Sequence, residues 1–179
     1  MIYESYAHRF ADVILNSDHE LKLELESVVQ AIEFEVVQTR FEEENLRRKE
    51  EGKKLSVGKQ STINKMFKAQ FRSAGWEVEK KVFNDPDNDL TIDFWKRKVG
   101  VDVAFVHRSS VGGDLLRLQA AAEVKNVIKV GVYICPTRTF AKEVSPNWRN
   151  MVNHERARWY LENFYAVLTA PILLMGLNG

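Results

Sequence analysis

The segment 91–107, with the sequence TIDFWKRKVGVDVAFVH, constrains the fold of this chain more than any other part. A short apolar-flanked run ends at Asp93, and apolar residues then alternate from Val99 to Phe105 with the period of a β-strand. The basic stretch WKRK separates the two runs. The segment therefore predicts a β-hairpin that brings the carboxylates of Asp93 and Asp102 together on neighbouring strands, with cations beside them.

This pair of carboxylates predicts a site for a hard divalent cation. Carboxylate oxygens are the ligands that Mg²⁺ prefers, together with water and phosphate oxygens. A cation held in this way offsets the charge that builds on a phosphodiester during hydrolysis, and it lowers the pKa of a bound water. Ordinary surface carboxylates of a hairpin are the alternative.

Length and composition describe one globular domain. A chain of 179 residues, 45% hydrophobic and 28% charged, is expected to fold as a single domain over residues 1–179. The formal net charge is +1, so any surface for nucleic acid has to be local. One cysteine, Cys135, excludes an internal disulfide and a cysteine zinc cluster. The sequence has no signal peptide and no apolar run of ~18 residues, which predicts a cytoplasmic protein with no membrane partner.

The first part of the chain has helical periodicity. A polar cluster at 16–18 predicts the start of one long helix over residues 21–41. The charged block 42–54 that follows is interpreted as a solvated helix end and loop, or as a lid that orders over DNA. A second helix is predicted over residues 61–74, and Gly75 is expected to end it.

Three cations on this second helix, Lys65, Lys68 and Arg72, recur at positions i, i+3 and i+7. Such a stripe is either a solvated face or a set of phosphate contacts.

The second part of the chain alternates strand and helix signals, with glycines at 112 and 113 expected to break the chain before a helix. We expect strands at 76–82, 90–94, 99–106, 130–135 and 172–177, a loop at 84–89, and helices at about 114–127 and 150–164. This order predicts an α/β fold with a mixed β-sheet flanked by helices on both faces.

Several segments together resemble the BglII/BstYI family of type II restriction endonucleases, within the PD-(D/E)xK nuclease superfamily. They match in order and spacing, and they read YESYAHRFADVILN, GKKLSVGKQSTINKMFKAQFRSAGW, TIDFWKRKVGVDVAF, KVGVYICPTR, NHERARWY and APILLMGL. The resemblance covers nearly the whole chain. It implies a restriction-endonuclease-like fold and Mg²⁺-dependent cleavage of palindromic double-stranded DNA by a homodimer, with a GATC-type core in the target.

The family's catalytic pattern is Asp, then Glu-x-Gln in place of the more common Glu-x-Lys. The resemblance assigns the first position to Asp93 and the second to Asp102, a shorter carboxylate than the family's Glu. It implies that Asp93 and the main-chain carbonyl of Val103 bind the metal, and that Asp102 binds the metal or a metal-bound water. Glu79 falls where the family places an extra polar group, although an ordinary strand-surface residue is the alternative.

The third catalytic position is Ala104, where the family has Gln. This residue normally holds or polarises the attacking water, and alanine cannot do so. Another residue supplies that role, or activity is reduced, or the alanine is an inactivating substitution. The alternative function is therefore a catalytically silent DNA-binding protein on the same scaffold. A non-specific or repair nuclease is a third option.

Base recognition is expected from residues that follow the catalytic strand and that precede the predicted helix at 150–164. The resemblance points to His107, Arg149, Asn150 and Asn153. Arginine suits guanine O6 and N7, and asparagine suits adenine N6 and N7. Structural alternatives remain for Arg149, as a surface residue at the start of a helix, and for His107, as a strand-end histidine.

Overall fold

A mixed six-stranded β-sheet lies at the centre of the computed structural model, which describes residues 1–83, 87 and 90–179. The strands are β1 (Ile2–His8), β2 (Glu77–Lys81), β3 (Thr91–Lys96), β4 (Val99–Val103), β5 (Val130–Pro136) and β6 (Ile172–Asn178). Their order is β1-β6-β5-β4-β3-β2. The β4–β5 and β5–β6 pairs are parallel, and the other neighbours are antiparallel.

Helices cover both faces of this sheet, as predicted. They are α1 (Ala11–Asn16), α2 (His19–Gln30), α3 (Phe34–Glu50), α4 (Gln60–Ser73), α5 (Val111–Gln119), α6 (Arg138–Val144) and α7 (His154–Asn163). Apolar residues of α1 to α4 and α6 pack on one face, and those of α5 and α7 pack on the other. The α/β fold class inferred from the sequence is confirmed.

Strand β4 is buried along its whole length because it lies inside the sheet. Successive side chains of a strand point to opposite faces. Val99, Val101 and Val103 contribute to the apolar cluster under α1 to α4 and α6. Asp102 and Ala104 therefore face α5 and α7, and this alternation puts a carboxylate on the sheet face that these helices cover.

The predicted long helix over residues 21–41 is wrong, because two helices, α2 and α3, occupy this region. The amino group of Met1 donates hydrogen bonds to the carbonyls of Gln30 and Ile32, which closes the end of α2. Glu33 then has an extended backbone, and α3 begins at the next residue. Apolar periodicity continues through the break, so it gave no sign of this change in direction.

The charged block 42–54 is helical as far as Glu50, further than predicted. Glu44 on α3 forms ion pairs with Arg48 and with Lys65 of α4. The pair with Lys65 links the charged face of α3 to α4.

The predicted helix at 61–74 is confirmed as α4, which ends before Gly75 at a φ of +75°. The expected chain break at Gly112 and Gly113 is wrong, because both glycines lie in the first turn of α5. The predicted helix at 150–164 begins later, at His154, because the side chain of Asn153 caps it.

Strand β1 and the short helices α1 and α6 were not predicted. The edge strand β1 lacks regular alternation between buried and exposed residues, so its sequence carries little strand signal. The loop expected at 84–89 lies outside the described residues except for position 87. Within the described parts of the chain, every helix is too short or too polar to cross a membrane.

Candidate active site

The β3–β4 hairpin brings Asp93 and Asp102 together as predicted. The backbone ladder pairs Phe94 with Val101 and ends beside the two aspartates. Asp102 Oδ1 accepts a hydrogen bond from the Asp93 amide at 3.1 Å, and Asp93 Oδ2 accepts one from the Val103 amide at 2.9 Å. Each carboxylate is thus fixed by the backbone of the opposite strand.

Burial makes ionisation of both carboxylates unfavourable. Asp102 is 1% exposed, and desolvation raises its pKa to about 7, although the nearby Arg117 guanidinium lowers it. The neighbouring Asp93 raises the pKa of Asp102 further. Burial also raises the pKa of Asp93, and the hydrogen bond from Val103 opposes that shift. A buried and a half-buried carboxylate side by side therefore attract a cation to this position.

Arg117 is the functional candidate that sequence reasoning missed. Its Nη2 and Nε lie 2.9 and 3.2 Å from Asp102 Oδ2, and Nη2 lies 3.2 Å from Asp114 Oδ1. The hydroxyl of Tyr133 on β5 donates to Asp114 Oδ2 at 2.9 Å. An acid and a base three residues apart in an apolar-rich helix were the only sequence signal for this network.

The carboxylates of Asp93 and Asp102 line a cleft of about 330 Å³. Asn64 and Lys68 of α4 form one side, and Ser110, Asp114 and Arg117 form another. Ala104 lies in the same lining and is 4% exposed. Its amide donates to the Ile134 carbonyl at 2.8 Å, and its methyl group brings no polar atom to the cleft.

Glu79 lies in the cleft wall opposite Asp93, between the backbone pairs Val78–Phe94 and Lys80–Ile92. Its φ is +58°, in the left-handed region that is unfavourable for residues other than glycine. Strained backbone of this kind clusters at functional sites. The side chain is 62% exposed and pairs with Lys68 at 2.6 Å, an interaction that lowers the pKa of Glu79.

The three cations of the predicted stripe on α4 differ in their surroundings. Lys68 lines the cleft and contacts Glu79. Lys65 pairs instead with Glu44 of α3 at 2.8 Å. Arg72 is near enough to Glu79 to help lower the pKa of that carboxyl. Lys68 is therefore the member of the stripe that the structure places beside the carboxylates.

The predicted recognition residues His107, Arg149 and Asn150 lie on two segments that contact each other. His107 forms an isolated backbone bridge with Met151, which joins the end of the catalytic strand to the segment before α7. A smaller pocket of about 180 Å³ is lined by His107 and Asn150 among others. Arg149 is exposed, and its guanidinium carbon lies 5.6 Å from the centre of the Trp148 ring.

Asn153 is buried and caps α7, where its Oδ1 accepts the Arg156 amide at 3.0 Å. Its side chain is committed to the helix end, so His107, Arg149 and Asn150 are the more accessible of the four recognition candidates.

The donor set fits a hard cation that keeps part of its coordination shell. Among the described residues, no group of three or more His, Cys, Asp or Glu side chains could hold a metal ion. Mg²⁺ commonly binds through one or two carboxylates, with water and substrate phosphate as its other ligands. Asp93 and Asp102 meet that requirement, although both Asp102 oxygens already accept hydrogen bonds from protein donors.

A family model described as restriction endonuclease BglII/BglIII matches residues 3–177. The chain belongs to this family. As a BglII/BglIII-family restriction endonuclease, it is a site-specific deoxyribonuclease, and the resemblance drawn from the sequence is confirmed. Among curated proteins, none matches the chain.

The fold of this BglII/BglIII-family chain is also that of a solved relative. The crystal structure of restriction endonuclease BglII complexed with a DNA 16-mer matches with a TM-score of 0.72 and 20% sequence identity. The match covers 100% of this chain and 79% of the other. At that identity, the comparison establishes the shared fold.

The raised pKa of Asp93 predicts that Asp93→Asn stabilises the metal-free protein at alkaline pH. Folding raises the pKa of Asp93, so the folded protein resists losing this proton. The free energy of unfolding therefore falls as the pH increases from the pKa of the unfolded state through that of the folded state. Asparagine keeps an acceptor for the Val103 amide and cannot ionise. Thermal melts in EDTA should give a higher midpoint for Asp93→Asn at about pH 8, with a gap that narrows towards about pH 4. Each kcal/mol corresponds to about 2–4 °C for a domain of this size.

Asp12 of α1 is exposed, so Asp12→Asn is the matched control and should leave the midpoint nearly unchanged. A lower midpoint for Asp93→Asn at about pH 8 would contradict the electrostatic account.

Proposed function

We propose that this chain is a Mg²⁺-dependent type II restriction endonuclease that cuts both strands of a palindromic DNA site with a GATC-type core. The observation that carries the proposal is the adjacent pair Asp93–Asp102, which opposing backbone amides hold at the cleft in a chain of the restriction endonuclease family. A silent DNA-binding protein on the same scaffold is the second candidate, and Ala104 favours it.

Mg²⁺ would be held by Asp93, by the Val103 carbonyl and, directly or through water, by Asp102. When bound, it would offset the charge on the phosphate and lower the pKa of a coordinated water. The chain's own residues prepare this position. The Val103 amide orients Asp93, while the Asp93 amide and Arg117 orient Asp102. Lys68 brings a positive charge to the same cleft, where it can attract the DNA backbone.

Recognition of a palindrome follows from symmetry. A two-fold DNA site offers two identical half-sites, and a homodimer reads each with the same residues while placing one cleft on each strand. His107 and Asn150 line a pocket that shares Val106 with the cleft, and Arg149 precedes Asn150 on a segment joined to His107 by the His107–Met151 bridge. Their side chains supply donors and acceptors for base edges in the major groove.

Cleavage should require Mg²⁺ and Asp93. The purified protein, incubated with unmethylated phage DNA and Mg²⁺, should give discrete fragments whose sequenced ends share one palindrome. Asp93→Asn should reduce the rate on the order of 10²-fold or more, because metal ligation contributes several kcal/mol to such reactions. Affinity for DNA in EDTA should be retained, since the change removes a negative charge near the phosphates.

The exposed substitution Asp12→Asn should leave cleavage unchanged. Cleavage by Asp93→Asn at the normal rate would refute the site assignment. A smear of fragments with unrelated ends would favour a non-specific nuclease, and tight binding without cleavage would favour the silent protein.

The active species should be a dimer with affinity that depends strongly on salt. Light scattering of the protein with a cognate duplex should give the mass of two chains on one duplex. With a net charge of only +1, binding has to rely on local cations, and each phosphate contact contributes about −0.9 to the slope of log affinity against log salt. A single chain on the duplex at every protein concentration would contradict the symmetric reading.

Arg149→Ala should relax discrimination at one symmetric pair of base positions. Loss of a bidentate base contact costs about 1–3 kcal/mol at that base pair, whereas loss of a phosphate contact weakens all sequences equally. The measurement is relative affinity across every single-base variant of the site. Arg158→Ala removes an exposed arginine of α7 that pairs with Glu162, and it serves as the control. A uniform loss for Arg149→Ala would reassign this residue to the backbone.

A further inference from the structure

The cleft contains a cation in a place that the family pattern does not assign. Position 104 carries a methyl group, and the side chain that should follow Asp102 on the same strand face is missing. Arg117 of α5 enters the same cleft from the helix that covers this face, and two of its nitrogens contact Asp102 Oδ2. Position 104, after β4, thus brings no polar group to the cleft, whereas Arg117 on α5 brings one.

We infer that Arg117 supplies a polar group to the cleft where position 104 has none: it orients Asp102 and donates to a phosphate oxygen of the bound DNA. The inference rests on the proposed nuclease function. It assigns Arg117 as a positioning residue toward Asp102 and as a direct contact toward the substrate.

The hydrogen bonds of Arg117 support both the orientation of Asp102 and the contact to phosphate. Nε and Nη2 are used by Asp102 and Asp114, at distances of 2.9 to 3.2 Å. The remaining nitrogen, Nη1, has no hydrogen bond to any residue that the structure describes. A guanidinium presents its donors in a planar fork, so anchoring one edge fixes the direction in which the other donors point. The two donors of Nη1 remain for an anionic ligand.

Asp114 and Tyr133 make this anchor rigid. Asp114 accepts from Arg117 with one oxygen and from the Tyr133 hydroxyl with the other. Tyr133 is fully buried on β5, and its backbone pairs with that of Asp102. Arg117 is therefore part of a hydrogen-bond network that links α5 to β4 through Asp102 and to β5 through Tyr133. A surface arginine that only balanced charge would need no such second support.

Chemistry limits what Arg117 can do. An arginine stays protonated at any working pH, so it cannot accept a proton from water. It can stabilise negative charge on a phosphate and hold a carboxylate in one orientation. Lys68 is less suited to this role, because its ammonium pairs with Glu79 on the opposite wall.

A charge-relocation experiment tests the inference. Single-turnover cleavage is measured at saturating enzyme for the unaltered protein, Arg117→Met, Arg117→Lys, Ala104→Lys, and the double variant Arg117→Met with Ala104→Lys. Affinity for the cognate duplex in EDTA and the thermal midpoint are measured for each. Arg158→Met is the matched control and should change none of these quantities.

Arg117→Met should slow cleavage and weaken metal-free binding, each by about 10- to 100-fold, because a hydrogen bond to a charged group is lost. Adding Ala104→Lys to Arg117→Met should restore at least about 10-fold of the cleavage rate, since the lysine returns a cation to the strand. Ala104→Lys alone should give no gain, because Arg117 already occupies the position.

Cleavage by Arg117→Met within about 3-fold of the unaltered protein would overturn the inference. A second result would also overturn it: cleavage lost in Arg117→Met, not recovered in Arg117→Lys or in the double variant, with metal-free DNA affinity unchanged. Arg117 would then support only the fold. If the unaltered protein cuts no DNA, the proposed function fails. The proposed phosphate contact can still be tested by DNA affinity in EDTA. An affinity for Arg117→Met equal to that of the unaltered protein would overturn that contact.

Discussion

The structure depends on two carboxylates held side by side between neighbouring strands. Removing a carboxylate from water is unfavourable, and a second carboxylate beside it adds repulsion. The chain accepts both penalties at Asp93 and Asp102, and it directs two backbone amides at them. Such an arrangement gains stability from any positive charge that enters the cleft. Arg117 supplies part of that charge within the protein, and a divalent cation with its phosphate ligand would supply the rest.

The sheet makes this arrangement possible because its strand order buries the second carboxylate. Strand β4 has an antiparallel neighbour on one side and a parallel neighbour on the other, so Asp102 cannot turn to solvent. Its valines anchor one face of the sheet, while Asp102 is directed toward α5. The antiparallel neighbour β3 places Asp93 at the same level. The hairpin therefore sets the distance between the carboxylates, and the central position of β4 sets their environment.

Local features of the sequence were enough to predict the hairpin, because alternation and a basic turn occur within seventeen consecutive residues. The break between α2 and α3 was missed, since apolar periodicity continues through it and the Met1 contacts at this point come from about thirty residues away. Arg117 was missed for the same kind of reason. Its role is visible only when α5 docks on the sheet face that carries Asp102. Conversely, the cations of α4 are regularly spaced in the sequence, but their partners differ. Lys65 pairs with Glu44 of α3, whereas Lys68 pairs with Glu79 at the cleft.

The role proposed for Arg117 would let the site keep a polar group beside Asp102 although the motif changes at position 104. A motif describes the order of residue types along a strand, whereas the chemistry of a cleft depends on where its charged groups lie in space. An arginine from a packed helix can meet the same carboxylate that a strand residue two positions away would meet. It brings a more rigid fork of donors than lysine or glutamine, and it loses the ability to exchange a proton. In such a cleft the attacking water would have to lose its proton to a group other than residue 104 or Arg117. Glu79 lies in the same cleft wall, on the strand next to that of Asp93, but its pairing with Lys68 lowers its pKa and makes its carboxylate a weaker proton acceptor.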